Sequence, residues 1–293
     1  MDRTRRSKAK LSIMTAMLIY GTIGVFVKYI PLSSSMIALA RGFFGAVFLG
    51  IYMLIRREKF SVASIKNNWL KLLLSGAMLG FNWLLLFEAY NYTTVATATL
   101  CYYLAPVIIV AVSPIFLKER LNIRKIICIA VALFGMVLIS GILSNGVHSG
   151  EIKGIIFGLL SAVLYAGIVI TNKKMSGISS YERTASQLLI SSVVMLPYAL
   201  IVNDISSIHM NVTGIILLAV VSLVHTGIAY VLYFGSVRYV SSQTVAILGY
   251  IDPVVAVLLS VFLLKESITV YGIIGAVLVI AAAIVSELPI KKK

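Results

Sequence analysis

A chain of 293 residues that is 60% hydrophobic and only 12% charged, with a mean hydropathy of +1.03, exposes too much apolar surface to fold as a water-soluble globule. Its net charge of +15 invites a nucleic-acid reading. The placement of the cations removes that reading, because they gather at the ends of apolar stretches instead of on one polar surface.

Crossing a hydrocarbon core of ~30 Å takes roughly 20 apolar residues, and ten such stretches stand between charged or turn-rich breaks. The first, residues 10–30, follows a basic start. It is long for a signal-peptide core and lacks a small-residue cleavage site before Pro31, so it is read as a retained membrane helix. It carries Tyr20, Lys28 and the close pair Gly21 and Gly24, and the second span, 34–55, carries Arg41 a third of the way from its outer end. The third, 69–90, holds Gly76, Gly80, Trp83 and Glu88, and the fourth, 95–116, holds Cys101, Tyr102, Tyr103 and Pro106. The fifth, 124–142, includes Cys128, and the sixth, 152–172, has Gly154, Gly158 and Tyr165. The seventh spans 183–202, the eighth (212–234) carries His225 and Tyr230, the ninth (243–264) carries Tyr250, Asp252 and Pro253, and the tenth runs 268–288. The glycine pairs let backbones approach closely, a packing role with sliding contact as the alternative. Both cysteines fall inside spans without metal-like spacing, so they read as small buried residues and no disulfide is expected.

Lys and Arg near span ends stay on the cytoplasmic side. With the N-terminus inside, 21 of the 25 basic residues lie there, and only Lys153 and Lys265 fall in external loops. The expected location is therefore a cytoplasmic (inner) membrane, multi-pass, with both termini cytoplasmic, and the basic surface meets anionic lipid headgroups.

Residues 85–119 recur at 232–266 without a gap, shifted by 147, with 12 of 35 positions identical. Tyr103-Leu104-Ala105-Pro106 becomes Tyr250-Ile251-Asp252-Pro253, and Leu117-Lys118-Glu119 becomes Leu264-Lys265-Glu266. The chain divides into two five-span repeats, 1–145 and 146–293, and an odd span number inverts the second copy relative to the first. The inversion also explains Lys265: its twin Lys118 lies inside, so it lies outside. The fold class is an all-α integral membrane protein of ten transmembrane helices in two inverted repeats.

With its ten spans, and with a proline in the fourth span of each half followed 13 residues later by a Glu (Pro106 to Glu119, Pro253 to Glu266), the chain resembles the EamA-type branch of the drug/metabolite transporter superfamily. The resemblance covers nearly the whole chain. It implies a secondary carrier for a small organic metabolite, more often exporting than importing, and leaves the cargo open among amino acids, amines, nucleobases and sugars. It also implies a general structural or gating role for Arg41, in competition with binding a substrate carboxylate.

Proline removes one helical hydrogen bond and presses on the preceding turn, so Pro106 and Pro253 are expected to kink their helices near mid-depth as gating points. Glu119 and Glu266 are expected to cap helix starts. Ionisable groups at membrane depth are costly and seldom idle. Asp252, His225, Arg41 and Glu88 answer across the repeat to Ala105, Met78, Gln187 and Gly235, so each is unique to its half. Asp252 is read as a site for a cationic group or a proton, with pairing to Arg41 as the structural alternative; His225 is equally a candidate ligand or a packing residue. Trp83, Tyr103, Tyr230, Tyr250, Tyr20 and Tyr165 lie inside spans, where they serve the core or wall a cavity for an amine or amphiphilic amino acid by cation–π attraction.

No Gly-Lys dipeptide occurs, which disfavours a P-loop pump. No triad spacing points to an intramembrane enzyme, and inverted halves with kinked helices suit alternating access better than a channel. The expectation is a secondary transporter of a small-molecule substrate, an amino acid or amine favoured, moving by proton exchange or facilitated efflux. The alternative is an uptake carrier or exchanger for a nucleobase, sugar or quaternary amine. No cofactor, metal or nucleic acid is called for; the bilayer and protons are the other partners, and a monomer and a homodimer both remain open.

Overall fold

The computed structural model describes residues 3–58, 60–116, 123–139, 149–204, 210–237, 239–240, 248–249, 251–265 and 269–287. Its elements are α1 (Arg3–Lys28), α2 (Ser34–Ile55), the short α3 (Val62–Asn67), α4 (Trp69–Tyr92), α5 (Val95–Tyr102), α6 (Ala105–Phe116) and α7 (Ile123–Ile139). The second half has α8 (Ser149–Lys173), α9 (Ser180–Val202), α10 (Val212–Ala219), a π-helical stretch Val220–Ile228, α11 (Ala229–Val237), α12 (Ile251–Phe262) and α13 (Val270–Glu287). Among the described residues six helices are long and apolar enough to cross a membrane, and four shorter apolar helices accompany them. The shorter four hold the fourth and fifth positions of each half.

Sequence-equivalent helices pack antiparallel, as an inverted duplication demands. α2 runs against α9, with Asn203 donating to Ser35 at one end and Gly42 against Ser191 and the Leu188 carbonyl farther along. α7 runs against α13, where Gly135 meets the Gly275 carbonyl. The cross-pairs repeat as well. α4 packs antiparallel on α8 through Gly167 against Met78, Asn82 with Ser161 and Gly154 against Thr93. α1 packs in the same way along Val212–Val237, from Arg5 with Tyr239 to Pro31 with Gly214. Small residues make these approaches possible: a Cβ on Gly158 would lie 2.8 Å from that of Cys101, and one on Gly21 would lie 2.6 Å from the Asp252 carbonyl. The core between helices is apolar, with Ile13, Leu49, Phe87, Leu188 and Met195 fully buried, and large apolar side chains such as Phe43, Phe44, Leu54, Leu73 and Ile201 also point outward, as a lipid-facing surface requires.

The fourth span, one apolar run in the sequence, is interrupted near the proline expected to kink or loosen it. It breaks at Tyr103–Leu104 into α5 and α6, because Pro106 has no N–H for the Tyr102 carbonyl and instead occupies the first turn of a new helix. Pro253 likewise stands in the first turn of α12, directly after Asp252. Two further prolines, Pro114 and Pro197, lie inside helices. Glu119, Glu266 and Tyr250 lie outside the described residues, as does the side chain of Pro106. A carboxylate cap does occur at Glu182, which closes a capping box with Ser179 and accepts from the Ser61 backbone at 2.7 Å. The signal was the S-x-x-E run from Ser179.

Candidate functional site

Between the halves lies a cavity of about 510 Å³, walled by α1, α2, α4, the α5–α6 break, α8, α9, α11 and the start of α12. The breaks matter to its shape. At the α5–α6 junction the chain turns Tyr102 and Tyr103 into the cavity, and the start of α12 delivers Asp252.

Arg41 is 4% exposed and reaches this cavity from α2. Its guanidinium carbon lies 4.0 Å above the Trp83 ring and 5.4 Å from Phe87, and Nε donates to Thr226 Oγ1 at 3.0 Å. Thr226 is turned toward it by the π-helical stretch, in which its own hydroxyl donates to the carbonyl five residues back, Val221, at 3.2 Å. Gly42 and Gly45, which follow Arg41 on α2, let α9 and the π-helical stretch approach α2 closely. The two terminal nitrogens of Arg41 have no partner among the described residues, and no carboxylate there lies within 4.0 Å of them. They face the cavity. A fixed planar fork with its inner nitrogen anchored and its outer nitrogens open is suited to a carboxylate, which it can meet with two parallel hydrogen bonds.

Asp252 stands on another helix, α12, and lines the cavity together with the Tyr103 ring. It makes no ion pair with Arg41 or with any other described residue. The opposed charges therefore line one cavity without pairing. Between them the wall is aromatic: Tyr20 meets Tyr230 edge-on at 5.9 Å, Tyr102 meets Tyr165 at 5.3 Å and Tyr103 at 5.8 Å, and Phe234 meets Tyr230 at 5.7 Å. Electron-rich ring faces beside a carboxylate suit a cationic or amphiphilic group.

Of the residues singled out in the sequence, the cavity gathers Arg41, Trp83, Tyr103, Tyr20, Tyr165, Tyr230 and Asp252. It does not gather His225 or Glu88. His225 is 2% exposed and bridges α1 to the π-helical stretch, with Nε2 2.8 Å from Thr22 Oγ1 and Nδ1 3.3 Å from the Val220 carbonyl. Glu88 accepts from Ser34 at 2.8 Å and from Asn91 at 3.3 Å, fastening α4 to the start of α2. The polar contacts are unequally shared between halves: Thr22 with His225 occupies the place of Gly167 against Met78, and Asn82 with Ser161 the place of Ala229 beside Ala16. Sequence reasoning overlooked Thr226, Asn172 and Thr184, which stand beside the more conspicuous His225, Lys173 and Arg183 and whose importance depends on which helix face they occupy; Gln187 carried a signal as the non-ionisable counterpart of Arg41.

Comparison with known proteins agrees with this architecture. The sequence profile of the EamA-like transporter family matches residues 7–141 and again 152–287. The chain is 29% identical over 280 residues to the uncharacterized transporter YxxF of Bacillus subtilis, covering 94% of this chain and 88% of that one. It is 25% identical over 300 residues to the uncharacterized inner membrane transporter YicL of Salmonella typhimurium, covering 98% and 97%. Among solved structures, one described only as the crystal structure of a protein superposes with a TM-score of 0.68 at 20% identity, over 96% of this chain and 97% of the other, a likeness of fold. Two matches to one family profile, together spanning most of the chain, on a bundle of apolar helices leave one conclusion: the chain is a multi-pass membrane protein that belongs to the EamA-like transporter family.

Proposed function

We propose that this protein is a secondary active carrier of the cytoplasmic membrane that moves an amino acid or related amine by alternating access, exporting it in exchange for protons or down its own gradient. The observation that carries the reading is the pair of unneutralised opposite charges facing one aromatic cavity: the open guanidinium fork of Arg41 and the carboxyl of Asp252. In this reading Arg41 holds the substrate carboxylate, and Asp252 with Tyr103 takes the ammonium group or, when the site is empty, a proton. The tyrosines supply an apolar wall with cation–π attraction of ~0.5–2 kcal/mol per contact.

The duplicated halves, 1–145 and 146–293, would rock about this cavity, with the break at Tyr103–Leu104 as a yielding point. The basic ends of α1, α2, α4, α8 and α9 support cytoplasmic placement of both termini. The name of the Salmonella relative supports the inner membrane.

A ligand screen on the purified protein tests the reading, since a bound ligand stabilises by RT ln(1 + [L]/Kd), about 2.7 kcal/mol at a hundred times Kd. Amino acids or amines should raise the melting temperature. Stabilisation by sugar phosphates with none by amino acids or amines would reject it.

A further inference from the structure

One turn nearer the basic end of the same cavity, three uncharged side chains meet: Gln187 and Thr184 on α9 and Asn172 on α8. Gln187 and Thr184 are each 4% exposed. Their hydrogen bonds determine which atoms remain open. Ser75 spends its hydroxyl hydrogen on the Lys71 carbonyl at 2.7 Å, so it can only accept from Gln187, whose Nε2 lies 2.6 Å away. The second hydrogen of that amide goes to Asn172 Oδ1 at 2.7 Å. Gln187 Oε1, Asn172 Nδ2 and Thr184 Oγ1 are left without a partner among the described residues. None of them is among the buried orphans, which are Asn82 Oδ1, Arg183 Nε, Ser191 Oγ and Ser222 Oγ, so all three open to the cavity.

Gln187 lies 146 residues after Arg41, within one residue of its repeat counterpart, and it rests on Ser75 while Arg41 rests on Thr226. Because Gly42 packs against Leu188 and Ser192, the two sites are offset by only about 7 Å along the helix axes. One pole of the cavity therefore presents a charged donor fork, and the other presents a neutral acceptor beside two donors.

We propose that Gln187, Asn172 and Thr184 form a second binding station, one that takes an uncharged planar group carrying a donor beside an acceptor, of which a primary carboxamide is the simplest. The ligand N–H donates to Gln187 Oε1, and its carbonyl accepts from Asn172 Nδ2 and the Thr184 hydroxyl. Ile168 and Val169 on α8 offer apolar surface to a flat ring. The station needs no charge and is independent of the cargo assigned to Arg41 and Asp252.

Nicotinamide and 3-acetylpyridine have nearly the same shape and share the carbonyl, but a methyl replaces the amide nitrogen in the second. Equilibrium binding of both to the full-length protein in lipid nanodiscs tests the station. Nicotinamide should bind roughly tenfold tighter or better, because the analogue leaves a buried acceptor unmet. Equal affinities, or no saturable binding of either, overturn the proposal. Gln187→Met should remove the preference while leaving 3-acetylpyridine within about twofold. Should that variant fail to fold, Thr184→Val removes one wall hydroxyl at constant shape and should weaken both probes several-fold; unchanged binding of both counts against the station. Arg41→Lys should leave nicotinamide binding intact, and its loss there would place the amide at Arg41 and refute the second station, whatever the outcome for amino acids.

Discussion

Arg41→Lys keeps a positive charge at the cavity wall and removes everything else that the structure assigns to this side chain. The anchoring bond from Nε to Thr226 at 3.0 Å is lost, as is the flat cation over Trp83 at 4.0 Å. The first loss is worth about 1 kcal/mol and the weaker stacking about another 0.5 kcal/mol, so the melting temperature should fall by a few degrees. Thr226 stays satisfied through its bond to Val221, which limits the damage. Binding should suffer far more. A bidentate, charge-assisted contact to a carboxylate contributes about 1.5–3 kcal/mol, and lysine offers only a single point of donation. An amino acid should therefore bind about 10- to 100-fold more weakly, whereas the amine that lacks its carboxylate should bind within about twofold of wild type. Titration calorimetry on both ligands reads the difference directly. Equal weakening of the two, or of neither, would refute the assignment of the carboxylate to Arg41.

Asp252→Asn keeps the side-chain shape and removes the charge, so folding should persist while gradient-driven accumulation falls sharply; wild-type accumulation at every pH tested would return Asp252 to a structural role. Gly21→Ala should destabilise by about 1–3 kcal/mol, because its Cβ would lie 2.6 Å from the Asp252 carbonyl, whereas Gly50→Ala in α2, with nothing within 4 Å, should be neutral or stabilise by up to about 1 kcal/mol; thermal melting of the two variants should diverge, and identical shifts would contradict the α1–α12 contact. Asn82→Ala and Ser161→Ala each break the same side-chain bond, from Asn82 Nδ2 to Ser161 Oγ at 2.9 Å, so their effects should be non-additive, with the double variant costing about 0.6 kcal/mol less than the sum; strict additivity in a double-mutant cycle would contradict the pairing. Cysteines introduced at Ser7 and Ser149 should react asymmetrically with an impermeant reagent on intact cells, Ser149→Cys being labelled and Ser7→Cys protected; the reverse pattern would overturn the orientation.

The spans were legible because a bilayer forces helix length and apolarity onto the sequence. The predicted second span coincides with α2, Ser34–Ile55, and the predicted third (69–90) ends within two residues of α4 (Trp69–Tyr92). The duplication was legible because 12 identities survive at one offset. What escaped detection depends on helix faces and on local backbone choices that periodicity does not record. An apolar run carries the same hydropathy whether or not the helix breaks inside it, so the interruption at Tyr103–Leu104 was hidden, although Pro106 marked its vicinity. The π-helical stretch Val220–Ile228 left no compositional trace, yet it aims Thr226 at Arg41. Depth alone left His225 equally a ligand or a packing residue, and its facing partners, Thr22 and Val220, seat it outside the cavity. Gln187 was marked in the sequence only as the non-ionisable counterpart of a charged residue, and its bonds to Ser75 and Asn172 show which of its atoms stays open.

The most direct test of the central claim is counterflow in proteoliposomes loaded with unlabelled amino acid, with trace labelled compound outside. The account predicts transient accumulation of labelled amino acids or amines, lost in Asp252→Asn and, for carboxylate-bearing cargo, reduced in Arg41→Lys. Exchange of sugar phosphates with no exchange of amino acids or amines would contradict it.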